Sequence, residues 1–206
     1  MVTRLINVNS SELLKMNGAE LKQSIKASEG RTVLSENVVT EPAIDNLTTS
    51  EIAAAFGADL ILLNLFDVFN PYVSGLKVKN KENTIKELKK LTGRPIGINL
   101  EPVDKDARME STRLKISKGR MASVASIEEA GKLGFNFICF TGNPGTGVTN
   151  KMIRNAIERA KKNFSGLIIA GKMHASGVNE PVTDEKTVKE FLTAGADVIL
   201  VPAVGT

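Results

Sequence analysis

A glycine that ends a helix and is followed by a continuous apolar run occurs three times in this sequence. The three copies lie at 55–64, 132–141 and 193–202, with their glycines at Gly57, Gly134 and Gly195. Glycine suits the position after a helix because it has no Cβ to oppose a positive φ. The apolar runs do not alternate with polar residues, so both faces of each strand should be buried. This pattern predicts a parallel sheet covered by helices.

Strand and helix signals alternate along the whole chain, which indicates repeated βαβ units. The predicted strands cover 31–37, 59–65, 94–100, 135–141, 166–173 and 197–202. Two architectures fit: a TIM-type (β/α)8 barrel and an open doubly wound sheet. A barrel needs eight units and about 250 residues, whereas this chain has 206. We predict one α/β barrel domain over 1–206 with about six βα units present, incomplete at its C-terminus.

Two stretches depart from the regular alternation. Residues 10–28 carry a helical stripe of apolar residues and predict one leading helix before the first strand. Residues 103–120 are polar and highly charged, with no glycine before Gly119. This second stretch predicts either a mobile lid or an exposed insertion.

Composition narrows the class of protein and of partner. Hydrophobic residues make up 42% of the chain, and no apolar stretch of about 18 residues is present, so no membrane association is expected. The first nine residues lack a secretory pattern, which favours a cytoplasmic protein. Aromatic residues are 4% and the net charge is only +4, so nucleic acid is not an expected partner. Uncovered sheet flanks favour a homo-oligomer.

Polar residues gather where the predicted strands end. The carboxyl ends of parallel strands carry the active site in both surviving architectures. Any one of these residues could simply bond loop backbone, but the set favours a functional site. Its members are Glu36, Asn37, Asn64, Asn99, Glu101, Thr141, Asn143, Lys172 and His174.

Four of these residues are the candidate catalytic groups. Glu36 and Glu101 could act as acid and base, or could hold Mg²⁺ through their oxygens. Lys172 could keep His174 neutral and fit to act as a base. Alternatively, a desolvated Lys172 could form a Schiff base. A zinc site is excluded, because the chain has one Cys and one His.

The loop 142–147 has three glycines and one proline ahead of a capped helix. Backbone N–H groups of such a loop, including those of Gly145 and Gly147, could bind a phosphate. A flexible turn between strand and helix explains the same residues equally well. We predict that the side chains of Asn37, Asn64, Asn99, Thr141 and Asn143 and this loop bind the substrate.

A second, weaker motif lies at Asp104-Lys105-Asp106. Phosphatases of the haloacid dehalogenase type use an Asp-x-Asp pair at a strand end, usually with Thr or Val two residues later. Arg108 stands at that later position here, and Pro102 separates the motif from its strand. A phosphohydrolase is therefore a minor alternative.

The runs 34–39 and 57–71 resemble an uncharacterised bacterial family with a TIM-barrel fold, encoded beside sugar phosphotransferase systems. Some members of that family carry a haloacid dehalogenase-like label. The segments 168–172 and 195–201 are similar to those of phosphate-binding barrels in general. The resemblance implies a barrel and a sugar-derived, phosphorylated ligand, without fixing a reaction.

Together these signals predict a barrel enzyme acting on a small phosphorylated, sugar-derived metabolite by lyase, aldolase or isomerase chemistry. The alternatives are a non-catalytic sugar-phosphate sensor and the phosphohydrolase. Mg²⁺ is the one cofactor considered.

Overall fold

A computed structural model describes residues 3–203, which form one parallel sheet of six strands. Each strand pairs with its successor in the sequence, in the order β1 to β6. A doubly wound sheet reverses its strand order at a switch point, and no reversal occurs in the described residues. The sheet curls into a partial barrel, so the predicted barrel architecture is confirmed.

The described residues alternate between strands and helices as predicted. The strands are β1 Leu34–Val38, β2 Leu60–Asn64, β3 Ile96–Leu100, β4 Phe137–Phe140, β5 Leu167–Gly171 and β6 Val198–Leu200. The helices are α1 Ser10–Leu13, α2 Gly18–Ala27, α3 Thr49–Ala55, α4 Thr84–Thr92, α5 Val124–Leu133, α6 Asn150–Asn163 and α7 Glu185–Ala194. Short 3-10 turns lie at Leu5–Asn7, Lys81–Asn83 and Lys118–Arg120. No helix in this part of the chain is long and apolar enough to cross a membrane.

The recurring glycines turn the chain from helix to strand as the sequence predicts. Gly134 and Gly195 end α5 and α7 with φ of 90° and 110°. Gly57 follows α3 with φ of 95°. Side chains with a Cβ rarely adopt this conformation, so these glycines set where each following strand begins.

The outward faces of the strands pack against the helices. Ile61, Leu63 and Ile98 belong to one buried cluster with Ile153 and Ile157 of α6. All five are fully buried. Burying such side chains stabilises the fold by about 1.5–3 kcal/mol each.

The inward faces are apolar near the strand starts and polar near the strand ends. Leu62, Phe137 and Leu167 form a second buried cluster, which Leu21 of α2 joins. Gly97 faces this cluster, where an added Cβ would overlap the ring of Phe137. The amino end of the barrel is therefore a packed core, and only the carboxyl end offers polar groups to a ligand.

The leading segment is two helices rather than the one helix predicted over 10–28. The chain breaks after α1, and Asn17 caps α2 by accepting from the backbone N–H groups of Ala19 and Glu20. A Cβ at Gly18 would overlap the backbone of Gly166, so α2 begins at a close contact with the sheet. This tertiary contact decides the break, and helical periodicity alone does not reveal it.

The charged stretch 103–120 packs on the loops that follow β4 and β5. Bridges join Val103 to Val148 and Met109 to Val178. The N–H of Leu114 donates to the carbonyl of Gly145 at 2.8 Å. These bonds give the stretch a defined position beside the carboxyl end of the barrel.

Candidate active site

A cavity of ≈ 510 Å³ opens at the carboxyl ends of the strands. Its wall combines polar groups with apolar side chains from the strand interiors. The lining residues are Leu34, Glu36, Val38, Leu62, Asn64, Asn99, Thr141, Gly142, Asn143, Met173, His174 and Leu200. A concave wall that combines apolar side chains with converging polar groups is typical of small-molecule sites.

Glu36 and Asn99 are brought together across the interior from β1 and β3. The Asn99 amide nitrogen donates to Oε1 of Glu36 at 2.7 Å. Asn99 is only 3% exposed, and its Oδ1 has no hydrogen-bond partner among the described residues. The pair therefore presents a carboxylate to the cavity and holds a buried, unpaired amide oxygen at its wall.

Glu101 lies behind the cavity wall and does not line it. The side chain is 1% exposed, and Arg120 donates to its Oε1 at 2.6 Å. Asn143 donates to both carboxylate oxygens, through its backbone N–H at 2.9 Å and its side-chain amide at 3.0 Å. Since the guanidinium balances the buried charge, this geometry makes Glu101 a residue that positions Asn143.

Asn64 and Asn143 form a reciprocal amide pair at the cavity wall. Each side-chain nitrogen donates to the other side-chain oxygen at 3.1 Å. The N–H of Leu65 also donates to Oδ1 of Asn64, at 2.9 Å, with Leu65 at a positive φ of 65°. Such backbone conformations in bulky residues tend to occur at functional sites. These bonds fix the orientation of Asn64 and leave its second amide N–H for a ligand.

His174 also lines the cavity, held by the loop that follows β5. The backbone N–H of Ser176 donates to Nδ1 of His174 at 3.1 Å, so the neutral ring carries its proton on Nε2. Burial lowers the pKa of His174, the nearby Lys172 charge lowers it further, and Glu101 and Glu36 act in the opposite sense. A neutral ring of this tautomer is a hydrogen-bond donor at Nε2, whereas the sequence suggested a base.

Lys172 is not brought to the cavity. Its fully buried side chain continues the outward series of Ile168 and Ala170, and its amine pairs with Glu180 at 3.2 Å. Burial lowers the pKa of Lys172, and the Glu180 carboxylate opposes this effect. The predicted strand ran to 173, but β5 ends at Gly171. Strand alternation therefore does not place Lys172 and His174 on one face.

Three further predicted residues lie away from the cavity. The amide of Asn37 faces outward, bonded to the hydroxyls of Ser35 and Ser50 at 3.0 and 3.2 Å. In the loop 142–147, the carbonyl of Gly145 accepts from the stretch 103–120, and the N–H of Gly147 donates to the carbonyl of Ser176. Phosphate binding by this loop stays a prediction.

Arg120 and the apolar part of the wall are not predicted by the sequence. Arg120 comes from the charged stretch 103–120, and nothing in the sequence links it to Glu101. The sequence identifies Leu34, Leu62 and Met173 only as strand residues, because an apolar side chain gives no sign of facing a cavity. The strand ends are visible in the sequence, but the depth of the cavity between them is not.

Residues 6–206 match the family described as a domain of unknown function (DUF7916). The chain belongs to the DUF7916 family. No curated protein matches its sequence.

Solved structures with the same fold include three enzymes. The DUF7916 chain superposes on 2,3-dimethylmalate lyase, a member of the PEP mutase/isocitrate lyase superfamily, with a TM-score of 0.56 and 11% identity, covering 97% of this chain and 65% of that one. It superposes on oxaloacetate acetylhydrolase in complex with 3,3-difluorooxalacetate with a TM-score of 0.54 and 12% identity, covering 94% of this chain and 64% of that one. It superposes on phosphonopyruvate hydrolase in complex with oxalate and Mg²⁺ with a TM-score of 0.51 and 15% identity, covering 90% of this chain and 64% of that one.

These similarities show the barrel fold. The DUF7916 chain spans less than two thirds of the length of each of the three enzymes. The proposed links to sugar phosphotransferase systems and to haloacid dehalogenase-like proteins stay predictions.

Proposed function

We propose that this chain is a lyase-type enzyme that cleaves the carbon–carbon bond of a small β-hydroxy carbonyl compound through an enolate. One observation carries the proposal: the cavity places the Glu36 carboxylate together with two oriented N–H donors, on Asn64 and His174. A base beside paired donors is what enolate chemistry needs, because charge moves onto the carbonyl oxygen.

In the proposed reaction, Glu36 returns to the product the proton that it removes from the substrate. Glu36 takes the proton of the substrate hydroxyl, the carbon–carbon bond breaks, and an aldehyde leaves. The electron pair of that bond enters the remaining carbonyl fragment, whose oxygen accepts from the amide of Asn64 and from Nε2 of His174. The enolate carbon then takes the proton back from Glu36. Removing one such donor typically slows an enzyme about 10²–10³-fold.

The fold comparison supports the reaction class, since one of the similar structures is a lyase. A phosphorylated, sugar-derived substrate remains part of the proposal. The phosphohydrolase alternative has less support, because Asp104 accepts from Thr149 at 3.1 Å outside the cavity.

The predicted Mg²⁺ site of Glu36 with Glu101 does not fit this geometry. Glu101 is paired with Arg120 and bonded through both oxygens to Asn143. Among the described residues, no three His, Cys, Asp or Glu side chains come together as metal ligands. Glu36 is thus a single available carboxylate, and no step of the reaction is assigned to a metal.

The assembly of the domain is also a proposal. In the described part of the chain β1 and β6 each pair on one side only. Exposed strand edges of this kind favour association. Light scattering after size-exclusion chromatography should therefore report a homo-oligomer.

The test is conversion of hydroxy ketones and hydroxy acids, free and phosphorylated, followed by NMR. The wild type should release an aldehyde, and Glu36→Gln should not. Glu129→Gln, on α5 and outside the cavity, is the matched control and should keep full activity. If these compounds shift the His174 resonance but none is converted, the proposed enzyme activity is contradicted and the non-catalytic sensor is favoured.

A further inference from the structure

The carbonyl oxygen of Asn99 is a buried acceptor without a donor. Asn99 is 3% exposed, and its Oδ1 is the one atom of its amide group left unpaired. Buried polar atoms are nearly always hydrogen-bonded, because an unpaired one costs about 1–3 kcal/mol. Since Asn99 lines the cavity, a molecule bound there can supply the missing donor.

The orientation of the Asn99 amide decides what that donor can be. Its nitrogen donates to Oε1 of Glu36 at 2.7 Å, and an ionised carboxylate can only accept. The amide nitrogen is therefore fixed towards Glu36, and Oδ1 is fixed as an acceptor. A ligand must bring an O–H or N–H group to this position.

Two acceptors consequently belong to one hydrogen-bonded pair. The Asn99 amide nitrogen bonds Oε1 of Glu36, so Oδ1 of Asn99 lies within one amide group of the Glu36 carboxylate, whose Oε2 is not engaged by this bond. Adjacent acceptors match two hydroxyl groups on adjacent carbons. One hydroxyl would meet Glu36 and the other would meet Asn99.

We propose that Asn99 selects substrates with a second hydroxyl on the carbon beside the reacting one, so that the substrate is a vicinal dihydroxy carbonyl compound. This inference rests on the proposed function, in which Glu36 takes the proton of the first hydroxyl. Asn99 is then a specificity-determining residue. A site built to bond a hydroxyl rejects the analogue that lacks it, because its own polar atom is left unpaired.

Two ketones isolate the second hydroxyl. In 3,4-dihydroxybutan-2-one the carbon between the carbonyl and the reacting hydroxyl carries a hydroxyl group, and in 4-hydroxybutan-2-one it does not. Their dissociation constants can be measured from the NMR shift of the single His. The wild type should bind the dihydroxy ketone about tenfold more tightly, the effect of one good hydrogen bond.

Variants assign that preference to Asn99. Asn99→Leu should lower the ratio of the two dissociation constants to about one, since the acceptor is gone. Asn155→Leu, on α6 and outside the cavity, is the matched control and should keep the wild-type ratio. The wild-type comparison stands by itself if Asn99→Leu does not fold.

The inference would be overturned by equal binding of the two ketones, by failure of the dihydroxy ketone to bind, or by a ratio unchanged by Asn99→Leu. Mg²⁺ alone should also be titrated, because a metal bound by wild type and lost in Asn99→Leu would make Oδ1 a metal ligand. If both ketones are cleaved with equal KM, the role of Asn99 in substrate selection is wrong and the lyase proposal stands. If the dihydroxy ketone binds more tightly but is not cleaved, the lyase proposal is wrong and the role of Asn99 in ligand selection stands.

Discussion

Asn143 donates its backbone N–H and its side-chain amide to the two oxygens of the buried Glu101 carboxylate, at 2.9 and 3.0 Å. The same amide bonds Asn64, so Glu101 controls a donor at the cavity wall through one intermediate residue. Glu101, the residue after β3, thus positions Asn143, and the proposed reaction assigns proton transfer to the more exposed Glu36.

Replacing Glu101 by Gln should destabilise the protein and weaken ligand binding together. The change leaves the Arg120 charge without its partner, which typically costs about 3 kcal/mol for a buried pair. Urea unfolding measures the loss. Glu129→Gln removes an exposed ion pair with Lys132 and should change stability by at most about 0.5 kcal/mol. Equal effects of the two substitutions would show that Glu101 holds nothing in place.

His174 should titrate below its ordinary pKa of 6.5, because burial and the Lys172 charge disfavour the imidazolium. The chain has one His, so its ¹⁵N resonances can be followed without assignment. They should report the Nε2–H tautomer at pH 7. Since the proposed reaction uses the neutral ring, activity should be lost as the pH falls through this pKa.

The same titration of His174 in the variant Lys172→Met tests how much the Lys172 charge lowers the pKa. The substitution should raise the pKa of His174 only in part, because burial is the larger cause. A midpoint at or above 6.5 in the wild type, or a proton on Nδ1, would refute the assigned role of His174 as a donor.

Lys172 should not form a Schiff base with the substrate. Its amine is fully buried outside the cavity and paired with Glu180 at 3.2 Å. Borohydride added with a bound carbonyl compound should therefore leave no reduced adduct on this residue. Peptide mass spectrometry makes the check, and a lysine adduct at position 172 would restore the Schiff-base mechanism.

Lys89 should make stability depend on pH in the alkaline range. Burial lowers its pKa from 10.5 to about 8, while its amine donates to the carbonyl of Gly134. Between about pH 8 and 10.5 the unfolded chain keeps a proton that the folded chain has lost, so the free energy of unfolding rises with pH.

The comparison for Lys89 is the variant Lys89→Met, which removes the titrating group. Wild-type stability relative to this variant should be flat below about pH 8 and should climb above it. Urea unfolding at several pH values from 7 to 10 gives both curves. Parallel curves would mean that the amine of Lys89 is solvated.

Sequence patterns predict the strands and the end of the barrel that carries the site. Continuous apolar runs and helix-ending glycines are local signals, and parallel strands bring their ends together at one edge. For this reason the sequence alone is enough to group six residues of the cavity wall: Glu36, Asn64, Asn99, Thr141, Asn143 and His174.

The direction of side chains and their pairing cannot be predicted from the sequence. Whether a residue past a strand points inward depends on where the strand ends: Lys172 still follows the outward alternation of β5, whereas His174, three residues past Gly171, lines the cavity. The pairing of Glu101 with Arg120 joins residues 19 apart, across a stretch without an α-helix or a strand of the sheet. Such contacts are set by tertiary packing, so a carboxylate in a charge pair looks the same in sequence as a free one.

The central claim is that the cavity stabilises an enolate beside Glu36, and hydrogen exchange tests it most directly. In D₂O the wild type should replace the hydrogens next to the carbonyl of hydroxyacetone, the ketone released from the dihydroxy substrate, and ¹H NMR should show the loss of signal. Glu36→Gln should exchange no faster than buffer, while Glu129→Gln should match the wild type. Exchange that is equally fast in Glu36→Gln, or absent in the wild type with the ketone bound, would contradict the account.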